Sequence, residues 1–128
     1  MYRIALAQSD FPVGAVKDNG QHLQRLRDQA AAAGADLLLT PELALSGYPP
    51  EDLLFRPGFQ ARVDHELRAL ATAGHSTDLL VGHPSRSDDR LYNCASWIDA
   101  SGIRATARKQ RLPNYEVFDE QRYFSAGY

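Results

Sequence analysis

The chain has 128 residues, of which 44% are apolar and 23% charged, with a net charge of −2 and one cysteine. This composition is typical of one globular domain, and it argues against a disulfide framework and against the clustered basic residues of a nucleic-acid partner. No apolar run reaches the roughly 18 residues that a membrane span needs, and the first residues show no signal-peptide pattern. We therefore expect a cytoplasmic domain with neither a membrane nor a nucleic-acid partner.

The spacing of apolar residues predicts that the chain opens with a strand, a helix and a second strand. Residues 2–8 alternate and predict a strand inside the sheet rather than at its edge. From about Lys17 to Ala33 the pattern is helical, and Gly34 is a plausible stop. Asp36 to Thr40 is a short apolar run typical of a buried strand. Such a unit favours parallel pairing of the two strands. The apolar stripe predicted for the helix consists of Val16, Leu23, Leu26, Ala30 and Ala33.

The rest of the chain predicts one more helix and three more strands. A short helical turn is expected at 51–55, and a helix at 57–73 that Gly74 ends. Helices followed by a hairpin-rich stretch favour a mixed sheet with its helices on one side. The three strands are predicted at 77–83, 91–99 and 103–109, with a charged turn at 85–90. The buried stripe predicted for the second helix consists of Phe59, Val63, Leu67 and Leu70.

An acidic residue stands directly after the second predicted strand. Pro41 cannot continue a strand ladder, Glu42 follows it, and Gly47 with two prolines then shapes a rigid loop. Proteins of the α/β class usually keep their chemistry at the carboxyl ends of strands. The alternative is a solvated glutamate in a loop, which is the usual place for this residue type.

Lys109 ends the last predicted strand in the same way as Glu42 ends the second. If the two strands are neighbours, both side chains can converge on one pocket. The ammonium group would keep the carboxylate ionised, whereas loss of solvent would oppose ionisation. The pair therefore suits acid–base chemistry, and a purely structural ion pair is the alternative.

Two segments carry a family resemblance: TPELALSGYPPEDLL at 40–54 and RKQRLPNYEVFDEQRYF at 108–124. They resemble the nitrilase superfamily of carbon-nitrogen hydrolases, and within it the glutaminase domains of glutamine-dependent NAD synthetases. The resemblance covers the chain from Tyr2 to Tyr128. It implies an α/β fold, the nitrilase-like α-β-β-α sandwich, which is commonly extended by dimer formation. Residues 1–128 would form only the N-terminal portion of that domain, and the protein would be a homo-oligomer.

The resemblance also implies a mechanism, in which a Cys-Glu-Lys triad hydrolyses the carboxamide of glutamine. Glu42 matches the general base, and Lys109 matches the cation that stabilises the oxyanion. Glu120 matches a second buried carboxylate that supports the triad. Tyr115 matches a position that contacts the glutamine substrate.

The parts of that machinery missing from these 128 residues are expected in a longer parent protein. The resemblance implies a downstream nucleophilic cysteine and a synthetase domain that uses ATP and Mg to amidate nicotinic acid adenine dinucleotide to NAD. No cofactor is expected in this chain. The sole cysteine, Cys94, precedes Lys109 and suits a buried packing position, so the chain alone is expected to be inactive.

Two other functions remain open: a different amidase of the same superfamily, or a non-catalytic fragment that serves as an assembly module. A metal site at His83, Asp88 and Asp89 is not expected, because their spacing matches no standard site. Ser46 lacks the glycine context of a hydrolase elbow. Half a sandwich would leave an open sheet face and open edges, which promote association.

Overall fold

The computed structural model describes residues 1–114 and 119–127 of the chain. Each predicted helix and strand is present, with its ends shifted by a few residues. In chain order the elements are β1 (Ile4–Leu6), α1 (Val16–Ala32), β2 (Leu37–Leu39), a first 3₁₀ turn (Glu51–Phe55), α2 (Phe59–Ala71), β3 (Asp78–Ser87), β4 (Arg90–Asp99), β5 (Gly102–Arg108) and a second 3₁₀ turn (Glu120–Arg122).

The strands form one mixed sheet in the order β1-β2-β3-β4-β5. The first three strands pair in parallel, and β4 and β5 continue the sheet in antiparallel fashion. The prediction of an inner position for the first strand is wrong, because β1 lies at the edge. Its alternation reflects two different faces: Ala7 packs into the core, whereas Ile4 and Leu6 are 55% and 61% exposed.

Both helices pack against one face of the sheet and against each other. The predicted stripe of α2 is confirmed, since Phe59, Val63, Leu67 and Leu70 are its buried residues. Burying an apolar side chain of this size stabilises a fold by about 1.5–3 kcal/mol, so this stripe holds α2 on the sheet.

The predicted stripe of α1 is confirmed at Val16, Leu23 and Ala30, whereas Leu26 is half-buried and Ala33 is exposed and lies just past the end of the helix. Two polar residues of α1, Asn19 and Arg27, are buried as well. The Arg27 guanidinium donates to the carbonyls of Thr77 (2.6 Å) and Leu70 (3.2 Å), the latter near the end of α2. Burial lowers the pKa of Arg27, and the charges of Asp78 and Asp28 oppose that shift. Arg27 therefore supplies donors to carbonyls that the helix and loop leave free.

The β3–β4 hairpin is longer than expected, and the prediction of a turn over residues 85–90 is wrong. Residues 85–87 pair with 90–92, and only Asp88 and Asp89 form the turn, with φ of 51° and 62°. A two-residue turn with two positive φ values matches the right-handed twist of the strands, and aspartate tolerates that conformation. The charged sequence marked the turn correctly but not how far the pairing runs.

The second face of the sheet presents apolar side chains to solvent. Leu39 is 36% exposed there, beside the exposed Ile4 and Leu6 of β1. Contiguous apolar surface of this kind is suited to packing against a further layer. Among the described residues, no helix is both long and apolar enough to cross a membrane.

Candidate active site

The loop that carries Glu42 is fixed against β3 by hydrogen bonds on both sides of the glutamate. The backbone N–H of Thr40 donates to the Leu80 carbonyl (3.1 Å), and the Leu45 N–H donates to the Gly82 carbonyl (3.1 Å). Asn19 of α1 adds a side-chain bond to the Leu45 carbonyl at 3.2 Å. Glu42 therefore leaves the end of β2 on a loop whose backbone is held by the neighbouring strand and helix.

Gly82 lets that loop approach β3 closely. A Cβ atom at this position would lie 2.5 Å from the Leu43 nitrogen and 2.6 Å from the Pro41 oxygen. Both are backbone atoms of the Glu42 loop and cannot rotate away. The position of the Glu42 carboxylate therefore depends on a residue without a side chain in the adjacent strand.

We expect Gly82→Ala to destabilise the chain by about 2–3 kcal/mol, because the new methyl group must displace the loop backbone. Chemical denaturation would measure the loss in the free energy of unfolding. Gly74→Ala is the control: its Cβ meets nothing within 4 Å, although its φ of 64° adds some backbone strain. Equal destabilisation by the two substitutions would contradict the close-approach argument.

Lys109 directly follows β5, and its backbone N–H donates to the Asn93 carbonyl at 2.8 Å. Its Nζ lies 2.7 Å from Glu42 Oε1 and 3.0 Å from Glu120 Oε1. The structure thus brings together Glu42, Lys109 and Glu120, as the sequence predicts. The expectation of a buried Glu42 is not met: its side chain is 41% exposed, against 9% for Glu120. The cavity beside it opens to solvent, which explains the difference.

The charges of this cluster keep the lysine protonated. Burial lowers the pKa of Lys109, but hydrogen bonds and charge from Glu42 and Glu120 outweigh burial, so the pKa of Lys109 is raised. One ammonium group is therefore shared between two carboxylates, and at neutral pH it carries its full charge.

Glu120 begins the second 3₁₀ turn, and backbone bonds fix that turn beside β4 and β5. The Glu120 N–H donates to the Pro113 carbonyl (3.2 Å), and the Gly127 N–H donates to the Lys109 carbonyl (3.0 Å). Within the described residues, Oε2 of Glu120 is buried and has no hydrogen-bond partner.

One residue near the cluster was not predicted as a site residue, and one predicted residue lies outside the described part of the chain. Tyr48 lies in the GYPP part of the first motif; burial, Glu120 and Glu42 raise its pKa, and Lys109 opposes them. The sequence signal that could have identified Tyr48 was its position in this motif, two residues before Pro50. Tyr115, predicted to contact the substrate, lies outside the described residues.

A cavity of about 350 Å³ lies at the cluster, on the apolar face of the sheet. A volume near 300 Å³ is at the lower end for small-molecule sites. The floor is small and apolar, and the charged groups stand at one side. The cavity therefore suits a small ligand with one polar end. Its lining includes Leu39, Leu80, Gly82, Ala95, Ala107, Glu42 and Lys109.

Cys94 borders this cavity but lacks the properties of a nucleophile. It pairs with His83 on one side and Arg108 on the other, so strand alternation directs it to the face opposite Ala107 and Lys109. It is 4% exposed, and burial raises the pKa of its thiol, which Arg108 only partly opposes. Thiolate, the reactive form, is therefore scarce at Cys94.

The residues weighed as a metal site do not form one. In the described part of the chain, no group of three or more His, Cys, Asp or Glu residues could hold a metal ion. His83 is buried, and its Nε2 lies 2.7 Å from Ser96 Oγ. Burial lowers the pKa of His83, which favours the neutral ring.

The chain matches the family described as carbon-nitrogen hydrolase over residues 3–128, and it belongs to that family. The nitrilase-like α/β fold is thereby confirmed, and this chain contains one helical layer and one sheet of it. The carboxylate and ammonium groups at the strand ends thus belong to a member of a family named for the hydrolysis of carbon–nitrogen bonds.

More particularly, the chain is similar to glutamine-dependent NAD(+) synthetases. It is 51% identical to that of Xanthomonas campestris over 126 residues and 50% identical to that of Xylella fastidiosa over 123. Each match covers 95% of this chain and 22% or 23% of the relative, so the chain spans less than a quarter of their length.

Solved structures agree with this similarity. The synthetase of Acinetobacter baumannii in complex with ADP has a TM-score of 0.94 and 34% identity, over 99% of this chain and 24% of that one. A variant of the Nesterenkonia AN1 amidase from the nitrilase superfamily has a TM-score of 0.87 at 24% identity, over 99% of this chain and 48% of its own. The second likeness supports the fold alone.

Proposed function

We propose that this chain supplies the general base and the oxyanion-stabilising cation of a site that hydrolyses the side-chain amide of glutamine. The observation that carries the proposal is Lys109 Nζ within 2.7 and 3.0 Å of Glu42 and Glu120 beside a cavity. The 50–51% identity to glutamine-dependent synthetases supports glutamine as the substrate.

The reaction would use a thiol from polypeptide outside these 128 residues. Glu42 accepts the thiol proton as sulfur bonds to the amide carbon, and Lys109 stabilises the resulting oxyanion. The protonated Glu42 then gives its proton to the leaving nitrogen, the carbon–nitrogen bond breaks, and ammonia departs. Glu42 next takes a proton from water, which attacks the thioester and releases glutamate and the thiol.

Glu120 and Tyr115 would have supporting roles in this scheme. Glu120 accepts a second hydrogen bond from the Lys109 ammonium group, so two carboxylates hold that group beside the cavity. Tyr115 stays a predicted glutamine contact. A third group that fixes a catalytic pair in place is a common requirement of nucleophilic catalysis.

In the parent protein, we propose that the released ammonia amidates nicotinic acid adenine dinucleotide to NAD in a separate synthetase domain that uses ATP and Mg. The names of the similar synthetases support this, as does the small share of their length that the chain spans. We further propose a cytoplasmic homo-oligomer. A single buried cysteine and the exposed apolar sheet face are consistent with both.

An amidase without a synthetase half is the weaker alternative. The amidase likeness rests on 24% identity, whereas identity to the synthetases reaches 51%. A substrate comparison separates the two functions: glutamine turnover with little activity on simple aliphatic amides supports the glutaminase, and the reverse preference supports the amidase.

The test is a chimera in which residues 1–127 of this chain replace the matching segment of the Xanthomonas campestris synthetase. We expect the chimera to release ammonia from glutamine and the isolated chain to release none above background, because Cys94 is buried with a raised thiol pKa. A folded chimera that releases no ammonia would refute the proposal. Turnover by the isolated chain would instead show that our view of Cys94 is wrong.

A further inference from the structure

The two 3₁₀ turns contact each other through side chains that lie outside the charged cluster. The Tyr123 hydroxyl donates to Asp52 Oδ1 at 3.1 Å. Arg122 Nη2 lies 3.5 Å from the same oxygen. The rings of Phe55 and Tyr123 pack with centroids 5.4 Å apart. Three side-chain contacts thus join the first turn to the second.

The second turn is short, and backbone hydrogen bonds tie its two ends together. Tyr123 and Phe124 both donate backbone N–H groups to the Glu120 carbonyl, at 3.0 and 2.8 Å. From this turn the Glu120 side chain reaches Lys109, and the Tyr123 side chain reaches Asp52. Displacing Tyr123 would therefore displace Glu120.

We propose that Asp52 is a positioning residue, which holds Glu120 against Lys109 by anchoring the second turn through Tyr123 and Arg122. Its catalytic consequence rests on the glutaminase function proposed above. Asp52 has no hydrogen bond or ion pair with Glu42, Lys109 or Glu120 among the described residues, so it acts only through the turn.

The exposure of these side chains sets the size of the expected effect. Asp52 and Arg122 are 72% and 58% exposed, and an ion pair so exposed contributes little. The hydrogen bond from Tyr123 adds to it, as does the packing against Phe55. We expect the loss of all Asp52 contacts to lower turnover about fivefold, far less than loss of a catalytic group.

Four substitutions separate the contacts. Asp52→Ala removes both the hydrogen bond and the ion pair, whereas Asp52→Asn keeps an acceptor for Tyr123. Tyr123→Phe removes the hydroxyl but keeps the ring on Phe55. Glu51→Gln is the matched control, because it removes one negative charge from the adjacent residue of the same turn.

The first measurement is hydrogen exchange by mass spectrometry on the full 128-residue chain. We expect Asp52→Ala and Tyr123→Phe to speed exchange in peptides covering 119–127 severalfold, with α1 unchanged and Glu51→Gln like the parent. Asp52→Asn should retain most of the protection. Unchanged exchange at 119–127 in Asp52→Ala would overturn the anchoring, whatever the chain's activity.

The second measurement is glutaminase kinetics in the chimera. We expect Asp52→Ala to lower kcat about fivefold with KM nearly unchanged, since the displaced Glu120 orients Lys109, the group that stabilises the oxyanion. Asp52→Asn should restore most of the rate. A lowered melting temperature with unchanged kcat would reduce Asp52 to a stabilising residue and refute the proposal. A parent chimera without activity would count against the glutaminase function only, because the exchange result stands apart from it.

Discussion

Glu42→Gln in the chimera is expected to lower glutaminase turnover about 10³-fold, within the range for loss of a general base. Gln retains an oxygen that can accept the 2.7 Å bond from Lys109, so the loop and the cavity should persist. What is lost is the group that takes the proton of the thiol and later that of water. Steady-state ammonia release would show the loss in kcat, with little change in KM.

Glu51→Gln is the control for this substitution as well, because it makes the same chemical change at a glutamate of the first 3₁₀ turn, outside the charged cluster. It should keep at least half of the parent rate. Circular dichroism must show that both variants are folded. Turnover within tenfold of the parent in Glu42→Gln would mean that another group accepts the proton, and the role assigned to Glu42 would be wrong.

The pair of Glu42 and Lys109 could be predicted because strand ends are readable from sequence. Asp36–Thr40 and residues 103–109 have compact strand patterns. A charged residue at the end of each must therefore lie at the carboxyl end of a strand. That β2 and β5 are not neighbours did not matter, since the intervening β3 and β4 direct both ends to one cavity. Glu120 was found only through the family resemblance, because no periodicity fixes a loop residue in space.

What the sequence did not reveal has a common physical cause. The spacing of apolar residues identifies only the apolar face of a helix, so it assigns a polar residue such as Arg27 to the solvent side of α1. In the structure Arg27 is buried, because it donates hydrogen bonds to the carbonyls of Thr77 and Leu70. The edge position of β1 was missed for a related reason: Ile4 and Leu6 are apolar yet exposed. Sequence alternation cannot distinguish an apolar residue on the second sheet face from a core residue, because it does not show whether another layer covers that face.

That exposed face also accounts for the electrostatics of the site. Glu42 is 41% exposed and Lys109 28% exposed, so water screens their interaction in this chain. A covering layer on the apolar face would exclude that water and strengthen the attraction between the charges. Closure of the cavity would therefore strengthen the interactions among the charged groups of the cluster.

Lys109→Met in the chimera is expected to lower kcat by about 10²–10³-fold, which is the usual loss when one oxyanion donor is removed. The substitution also leaves Glu42 and Glu120 side by side without a cation. Like charges at this distance favour protonation of one carboxylate, so the acidic limb of the pH–rate profile should move to higher pH. Lys17→Met, at the other lysine of the chain, is the matched control and should leave both quantities unchanged.

The pH dependence of the parent chimera follows from the same cluster. Glu42 and Glu120 raise the pKa of Lys109 above its ordinary value of 10.5. Lys109 therefore stays protonated at every pH below 10.5, and its charge is lost only as the pH rises through the higher pKa of the folded state. No alkaline loss of rate up to about pH 10 should therefore come from Lys109. Adding Glu120→Gln to Lys109→Met should return the acidic limb towards the parent, since one of the two repelling charges is gone. If Lys109→Met keeps the parent rate, or if the double variant leaves the acidic limb where the single variant has it, the three groups do not act as one charge cluster.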